Sequence, residues 1–477
     1  MEDSEILKIL YERNPWWEGR ELKVPEQKRR DFHYLKERLN DKLISAIVGP
    51  RRVGKSVLMQ QLIAELLAQK VKPKNILFVE LDEPKFETEH TLLINKIMDI
   101  YSKNILQSNF QDLNEMAYVF LDEIQHVNKW SETLKSFYDR NCKIKFVVSG
   151  SSAAGITQGS SESLAGRIAL HYVMTLKFID YLKFRGVDGD IENIAFKLRY
   201  KFKDAIDEEK PELFLAALKK FSMGLVPKQD KIEMLLSEYL VKGGYVELLE
   251  MGDYSKCTQY LNDLVQLVIY KDIVKVFDIR NPKVMEVMLL YLASHSAEQI
   301  SENSLSENLK TKIDTIGQYL DYLELTFLIS TAPIYANNRA KQIRNPKKIF
   351  INDVGLRNML NGTFNQKALQ DSKDAGLMAE TVAHNHLRRL VFFLDSYNAK
   401  CYYWKNGSEI DNVLSYSKKA IPIEVKYQNK INSEDVKACS AFIEEEKSPF
   451  GMIITKDKLE YKNRIFYVPL WMFLLMC

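Results

Sequence analysis

The run Gly49-Pro-Arg-Arg-Val-Gly-Lys-Ser56 has the residue types and spacing to grip a nucleoside triphosphate. Glycine at 49 and 54 lets the backbone turn so tightly that its N–H groups face phosphate oxygens. Lys55 then reaches the β- and γ-phosphates, and the Ser56 hydroxyl is placed for Mg²⁺. The candidate ATP cradle is therefore Gly49, Pro50, Arg51, Arg52, Val53, Gly54, Lys55, Ser56 and Val57. Downstream, Ala117-Tyr-Val-Phe-Leu-Asp-Glu123 is an apolar run closed by two carboxylates. At the carboxyl end of a parallel strand next to the loop, Asp122 would hold the Mg²⁺ shell and Glu123 would polarise the attacking water. The run Lys145-Phe-Val-Val-Ser-Gly-Ser151 offers Ser149 or Ser151 to the γ-phosphate or its water.

A second constellation lies near the carboxyl end. Period-2 alternation places Glu424 and Lys426 on one face of the strand Ala420–Lys426, with Asp411 one hairpin earlier and Glu380 on a preceding helix. Carboxylates and a lysine converging in this way can bind a divalent cation and activate water; the same residues can equally form a salt-bridged sheet surface. His384, one turn after Glu380, reads as a solvated or core histidine.

These groups need elements to hold them. The run Leu43–Val48 is apolar and β-branched as a buried strand should be, and Val57–Leu67 has helical periodicity, so the glycine loop sits between a strand and a helix. Further strands are expected at Asn75–Leu81, Ala117–Glu123, Lys145–Ser151 and Ala169–Met174, with a helix over 91–106. Residues 1–40 read as two short helical pieces around Trp16 and Trp17, which either flank a purine or anchor the segment to the core. From Leu176 to about Glu250 the pattern is helical, broken by the polar stretch 186–190; Gly243-Gly244-Tyr245 reads as a hinge or tight turn. Residues 297–328 read as helix, turn and longer helix, with Asn308–Tyr322 as a recognition helix and a strand, Phe327–Pro333, after it. Between Asn337 and Lys348 lie Arg339, Lys341, Arg344, Lys347 and Lys348 with no acid among them. Helix-turn-helix followed by a basic hairpin is the winged-helix arrangement, whose wing touches phosphates.

Composition bounds the rest. The 477 residues exceed one hydrophobic core, so several domains are expected. A net charge of +3 confines any nucleic-acid surface to a local patch. Five cysteines without a CxxC pair argue against a disulfide framework or thiolate zinc site and for a reducing compartment. The acidic start and the absence of a long apolar run predict a cytoplasmic protein without a membrane partner. The greasy end, Leu470–Cys477, is expected to dock on the core.

The succession of glycine loop, strand ending Leu-Asp-Glu-Ile-Gln, strand ending Ser-Gly-Ser, and Ser163-Leu-Ala-Gly-Arg167 resembles the AAA+ superfamily, and more narrowly the prokaryotic AAA_14-type ATPases that carry a DUF4143 region. The resemblance implies that Ser149 is the sensor-1 position and that Arg167 stands where an arginine finger is found. A finger from a neighbouring subunit would make hydrolysis depend on homo-oligomer assembly. A salt bridge capping the strand after Arg167 is the other reading of that residue. The carboxyl-terminal constellation resembles the PD-(D/E)xK nuclease fold: Asp411 matches its Asp, Glu424 and Lys426 its ExK, and Glu380 its helical acid. In that family the carboxylates hold Mg²⁺ or Mn²⁺ and the lysine orients the hydrolytic water, although several members keep the fold without cleavage.

The expected architecture is α/β: a helical segment (1–40), a P-loop AAA+ ATPase core (41–175), a helical lid (176–254), a winged-helix region (255–355) and a PD-(D/E)xK nuclease-like domain (356–477). The expected activity is Mg²⁺-dependent ATP hydrolysis coupled to binding or remodelling of duplex or branched DNA, with metal-dependent cleavage by the last domain. The alternative is a signalling switch with an inert nuclease-like scaffold for protein contacts.

Overall fold

The computed structural model describes residues 2–86, 92–153, 156, 164–187, 191–277, 279, 281–336, 338–395, 399–428 and 430–477. Thr91, Ser163, the stretch 188–190 and Asn337, which the expectations above include, lie outside the described residues. The chain divides into two compact units: one runs to Met174 and takes in Leu325–Phe327, the other comprises Thr175–Glu324 and Leu328–Cys477.

The first unit is built on five parallel strands in the order β2-β3-β4-β1-β5. They are β1 Ile44–Val48, β2 Ile76–Glu80, β3 Ala117–Asp122, β4 Ile144–Gly150 and β5 Ile168–Tyr172. β1 and β4 are buried along their whole length, as central strands of a sheet covered on both faces are. β1 pairs with β4 and β5, so β4 stands between the glycine-loop strand and the acidic strand β3. The acidic strand β3 is parallel to the loop strand, and the strand between them, β4, brings Ser149.

Trp16 and Trp17 are buried, and both indole N–H groups donate to the Ile76 carbonyl at 3.1 and 2.8 Å. Asn14 beside them donates to the Phe78 carbonyl (2.9 Å) and accepts from the Phe78 N–H (2.7 Å). The tryptophans therefore anchor the amino-terminal segment on edge strand β2, which decides between the two readings given for them. The helix expected over 91–106 appears as Leu93–Ile100 continued by a π-helical turn, Tyr101–Leu106.

In the second unit, a six-stranded sheet has the order β13-β14-β12-β11-β10-β9. With β6 to β8 described below, its strands are β9 Lys400–Asn406, β10 Ser408–Tyr416, β11 Lys419–Lys426, β12 Gly451–Thr455, β13 Glu460–Lys462 and β14 Ile465–Pro469. The helices Phe178–Phe184, Ile191–Asp207, Pro211–Leu225 and Gln229–Lys242 share one core with this sheet and with the helix Ser372–Asp395. Phe202, Phe214 and Phe221 meet Phe450, Phe466 and Trp471 ring to ring. The residues expected as a helical lid are helical, and they bury their apolar faces within this unit. The helix Leu470–Met476 is fully buried, as docking of the greasy end requires.

A three-stranded sheet of order β6-β8-β7 joins β6 Gln299–Ile300, β7 Ile329–Ala332 and β8 Lys347–Ile351. The helix Pro282–Ser294 precedes it, and Glu302–Leu309 and Ile313–Leu325 lie between β6 and β7. Lys310, in the left-handed region at φ 49°, ends the shorter helix, so the longer one starts at Ile313 and not at Asn308. Between β7 and β8 the basic stretch contains a short helix, Arg339–Arg344, where an open hairpin was expected.

The Gly243-Gly244 turn is a tight crossing. A Cβ on Gly244 would lie 2.5 Å from the Leu176 carbonyl oxygen. Its N–H donates to the Asp353 carboxylate (2.9 Å) and its carbonyl accepts from the Leu176 N–H (2.7 Å).

Candidate nucleotide site and a buried carboxylate cluster

The glycine loop leaves the carboxyl end of β1 and feeds the helix Lys55–Ala68. Gly49 has no alternative: a Cβ there would sit 1.9 Å from the Val173 carbonyl oxygen, because β5 continues alongside. Gly54 takes φ 91° and so turns the chain into the helix. The Lys55 ammonium donates to the carbonyls of Gly49 (3.0 Å) and Pro50 (2.8 Å), which fixes its charge over the loop. Val53 is buried, whereas Val57 is partly exposed on the first helical turn.

The acids arrive from β3 through β4. The Ser149 hydroxyl donates to Asp122, whose carboxylate also bonds the Ser56 hydroxyl. Ser56, Asp122 and Ser149 thus form one hydrogen-bonded row across the carboxyl ends of the strands. Burial raises the Asp122 pKa first and the neighbouring Glu123 charge raises it further, against Ser149, Ser56 and Lys55. Glu123 is a non-glycine residue in the left-handed region, φ 53°, a conformation that the surroundings must hold in place. Its N–H donates to the Ser149 hydroxyl at 3.0 Å. Burial alone would raise its pKa, but Lys55, Gln125 and Arg51 outweigh that and keep it ionised. A hydroxyl and an ionisable carboxylate bonded to each other are oxygen ligands of the kind Mg²⁺ takes, so these residues fit the ion that the loop implies.

Two residues here were not among the candidate site residues. Gln125 donates to the Glu123 carboxylate and, at 3.0 Å, to the Ser151 hydroxyl, so Ser151 holds the acid through Gln125. Arg29, buried, donates to the carbonyls of Val53 and Met174, each at 2.6 Å, and pairs with Asp31 at 3.2 Å. It braces the loop from the amino-terminal segment. Gln125 was legible only as part of the Leu-Asp-Glu-Ile-Gln run, and Arg29 lies in a stretch of similar charges.

Arg167 stands elsewhere. Its carbonyl accepts from Ile44 at the amino end of β1, the end away from the loop, and its guanidinium pairs with Asp139 at 2.8 Å, both partly exposed. Within this chain it does not join the cradle.

In the second unit the four nuclease-like residues do converge. The Asp411 N–H donates to Glu424 (3.1 Å), and the Val425 N–H donates to Asp411 (3.0 Å). Lys426 donates to Glu424 at 2.6 Å. The cation among them is one that sequence reasoning placed on a phosphate-touching wing. Lys348, 2% exposed, points inward from β8 to Glu409 (2.8 Å), Glu380 (3.1 Å) and Asp411 (3.2 Å). Its assignment to phosphates is therefore corrected; Arg339, Lys341, Arg344 and Lys347 remain exposed. Burial, then the Asp411 charge, raises Glu380 well above the usual carboxylate range. The same two causes push Glu424 up to about 7. Asp411 itself stays below its ordinary value because Lys348 and Lys426 outweigh its burial. His384 is buried, stacked on Phe350 at 3.7 Å and bonded through Nδ1 to Asn412 (2.7 Å), as a core histidine. Among the described residues, no group of three or more His, Cys, Asp and Glu side chains is arranged to hold a metal ion. The second divalent ion therefore does not fit these residues as they stand. Nor is any described helix long and apolar enough to cross a membrane.

Comparison with known proteins follows this division. Residues 41–182 match the AAA_14 family of AAA domains, 233–367 match DUF8612, and 375–473 match DUF4143, the latter two being domains of unknown function. The chain is similar to an uncharacterized protein of Haemophilus influenzae, 24% identical over 337 residues, 68% of this chain and 72% of that protein. It is also similar to an uncharacterized protein of Methanocaldococcus jannaschii, 26% identical over 414 residues, 85% of this chain and 79% of that protein. Similar solved structures include the ADP form of ORC2 from Aeropyrum pernix (12% identical, 72% of this chain, 97% of that one, TM-score 0.33). The AMPPCP-bound DnaA from Aquifex aeolicus is another (14% identical, 63% of this chain, 89% of that one, TM-score 0.28). A third, C. elegans PCH-2, is 15% identical over 35% of this chain and 44% of its own, with TM-score 0.23.

Proposed function

We propose that this chain, which joins an AAA_14 ATPase domain to a DUF4143 domain, hydrolyses ATP with Mg²⁺ and uses the cycle to change how its second unit engages duplex or branched DNA. The observation that carries the ATPase part is the row Ser56–Asp122–Ser149 beside Glu123 at the mouth of the glycine loop. The loop N–H groups and Lys55 bind and orient the triphosphate. Ser56 and Asp122 would hold Mg²⁺, which supplies positive charge to the phosphates when bound. Glu123, kept ionised, accepts hydrogen bonds from the attacking water, and Gln125 and Ser149 hold it in position.

Helix, strand, two helices and two strands in the order β6-β8-β7 are the parts of a winged helix, which supports a docking role for residues 282–351. The exposed Arg339, Lys341, Arg344 and Lys347 supply a phosphate-attracting patch. A protein partner is the second reading, and one feature favours it: the helix Ile313–Leu325 carries Asp314, Asp321 and Glu324 and no lysine or arginine. Cleavage is left out of the function proposed, because Lys348 lies among the carboxylates that would hold its metal.

ATP turnover should be measured alone and with duplex, single-stranded and branched DNA. Stimulation by DNA that disappears in Arg339→Glu/Lys341→Glu/Arg344→Glu supports DNA as the partner. Turnover indifferent to DNA in both proteins moves the assignment to a protein partner, and absence of any turnover refutes the proposal.

A further inference from the structure

We infer that Lys348 is the resident cation of the carboxylate cluster, standing where the nuclease-like constellation would hold a divalent metal. In this reading the cluster is a junction between β8 and the six-stranded sheet and not a metal-dependent cleavage centre. An ammonium has three N–H donors, and Lys348 has three carboxylate partners, Glu380, Glu409 and Asp411, all within 3.2 Å. The partners come from two elements, the helix Ser372–Asp395 and β10, while the lysine comes from a third. Glu424, the remaining acid, is matched by Lys426. Each acid of the set therefore has a cationic partner from the chain itself.

A divalent ion would have to displace that ammonium. Mg²⁺ demands oxygen ligands near 2.0–2.1 Å and usually keeps several waters. The Lys348 side chain, 2% exposed, fills the space between acids that keep some solvent contact of their own, 14% for the Glu380 and Asp411 side chains and 37% for that of Glu409. Pairing with Gln299 of β6 on one side and Ala332 of β7 on the other fixes the backbone of Lys348, so its ammonium leaves the cluster only by side-chain rotation that gives up all three carboxylate partners. The one buried lysine of an otherwise exposed basic segment thus marks the feature that sets this constellation apart from a working metal site.

Mn²⁺ binding followed by the loss of the free-ion electron paramagnetic resonance signal, without nucleotide, tests the inference on the intact chain. The parent protein and Asp411→Asn are expected to give the same titration. An additional Mn²⁺ in the parent that Asp411→Asn loses, or Asp411-dependent cleavage of branched DNA, overturns the inference. Lys348→Met, which strands the acids, should lower the thermal midpoint of the second unit by on the order of 10 °C. Glu380→Gln and Asp411→Asn added to Lys348→Met should return most of that loss. An unchanged midpoint in Lys348→Met overturns the clamp. If Lys348→Met does not accumulate folded, the triple variant decides: recovery of the fold supports the inference and a second failure overturns it. These readouts involve no nucleotide, so they stand or fall separately from ATP hydrolysis.

Discussion

Two places in this chain combine buried carboxylates with lysine at the ends of strands, and they treat charge in opposite ways. At the candidate nucleotide site Lys55 donates to backbone carbonyls of the loop, and Asp122 and Glu123 are hydrogen-bonded by the neutral side chains Ser149, Ser56 and Gln125 while the charges of Lys55 and Arg51 act on Glu123 as well. In the second unit Lys348 and Lys426 are bonded directly to Glu380, Glu409, Asp411 and Glu424. Hydroxyls and amides orient a charge without cancelling it, so the first arrangement remains able to act on a charged ligand. Direct ion pairs cancel, so the second is spent on cohesion. Carboxylates and a lysine in the expected pattern are therefore insufficient evidence of chemistry; what neutralises them decides.

The largest test of the contrast is on turnover. Lys55→Ala or Glu123→Gln should reduce ATP hydrolysis by roughly a hundredfold or more, measured by phosphate release, with little change in thermal midpoint. Asp411→Asn should leave hydrolysis unchanged. Next in size, Lys348→Met should cost about 3–5 kcal/mol in denaturant unfolding, the penalty for leaving buried acids uncompensated. A loss close to zero would place the second cluster in the same class as the first.

An effect of similar origin concerns acid. Burial, with the charge of Arg388 next, lowers the His384 pKa from 6.5 to about 3. The unfolded chain therefore binds a proton that the folded chain refuses, and stability is lost as pH falls from 6.5 toward 3, by on the order of 5 kcal/mol at the limit. Urea midpoints between pH 7 and 4 should fall less steeply in His384→Gln than in the parent. The smallest expected effect is at Arg167. Its half-exposed pair with Asp139 should contribute at most about 1 kcal/mol, so Arg167→Ala should unfold almost as the parent does. A large loss of ATP turnover in that variant, growing with protein concentration in the parent, would make it a finger offered to a neighbouring subunit.

The candidate nucleotide site was legible as a local pattern. A strand, a glycine turn and a helix lie within Leu43–Leu67, and the strands carrying Asp122 and Ser149 announce themselves by unbroken apolar runs. The order of those strands was not legible, since adjacency in a parallel sheet is settled by packing through the crossovers. Lys348 was misread for a related reason. Its neighbours in sequence are basic, whereas its acidic partners lie 32 and 63 residues away. The partner of the helical stretch 176–254 was not legible, because an amphipathic helix does not state which surface covers its apolar face; here the carboxyl-terminal sheet does.

Strand β8 carries two alternating sets of side chains, and this gives the small sheet a way to reject misfolded pairings. Lys348 and Phe350 face the acids and His384, while Ile349 and Ile351 are buried on the opposite face. Sliding the strand by one residue in one direction would seat Ile349 among carboxylates; in the other it would drive Lys348 into an apolar position. Either error is electrostatically unfavourable from the moment it forms, so a two-residue β6 and a four-residue β7 can recruit β8 in a single alignment despite offering so few backbone hydrogen bonds.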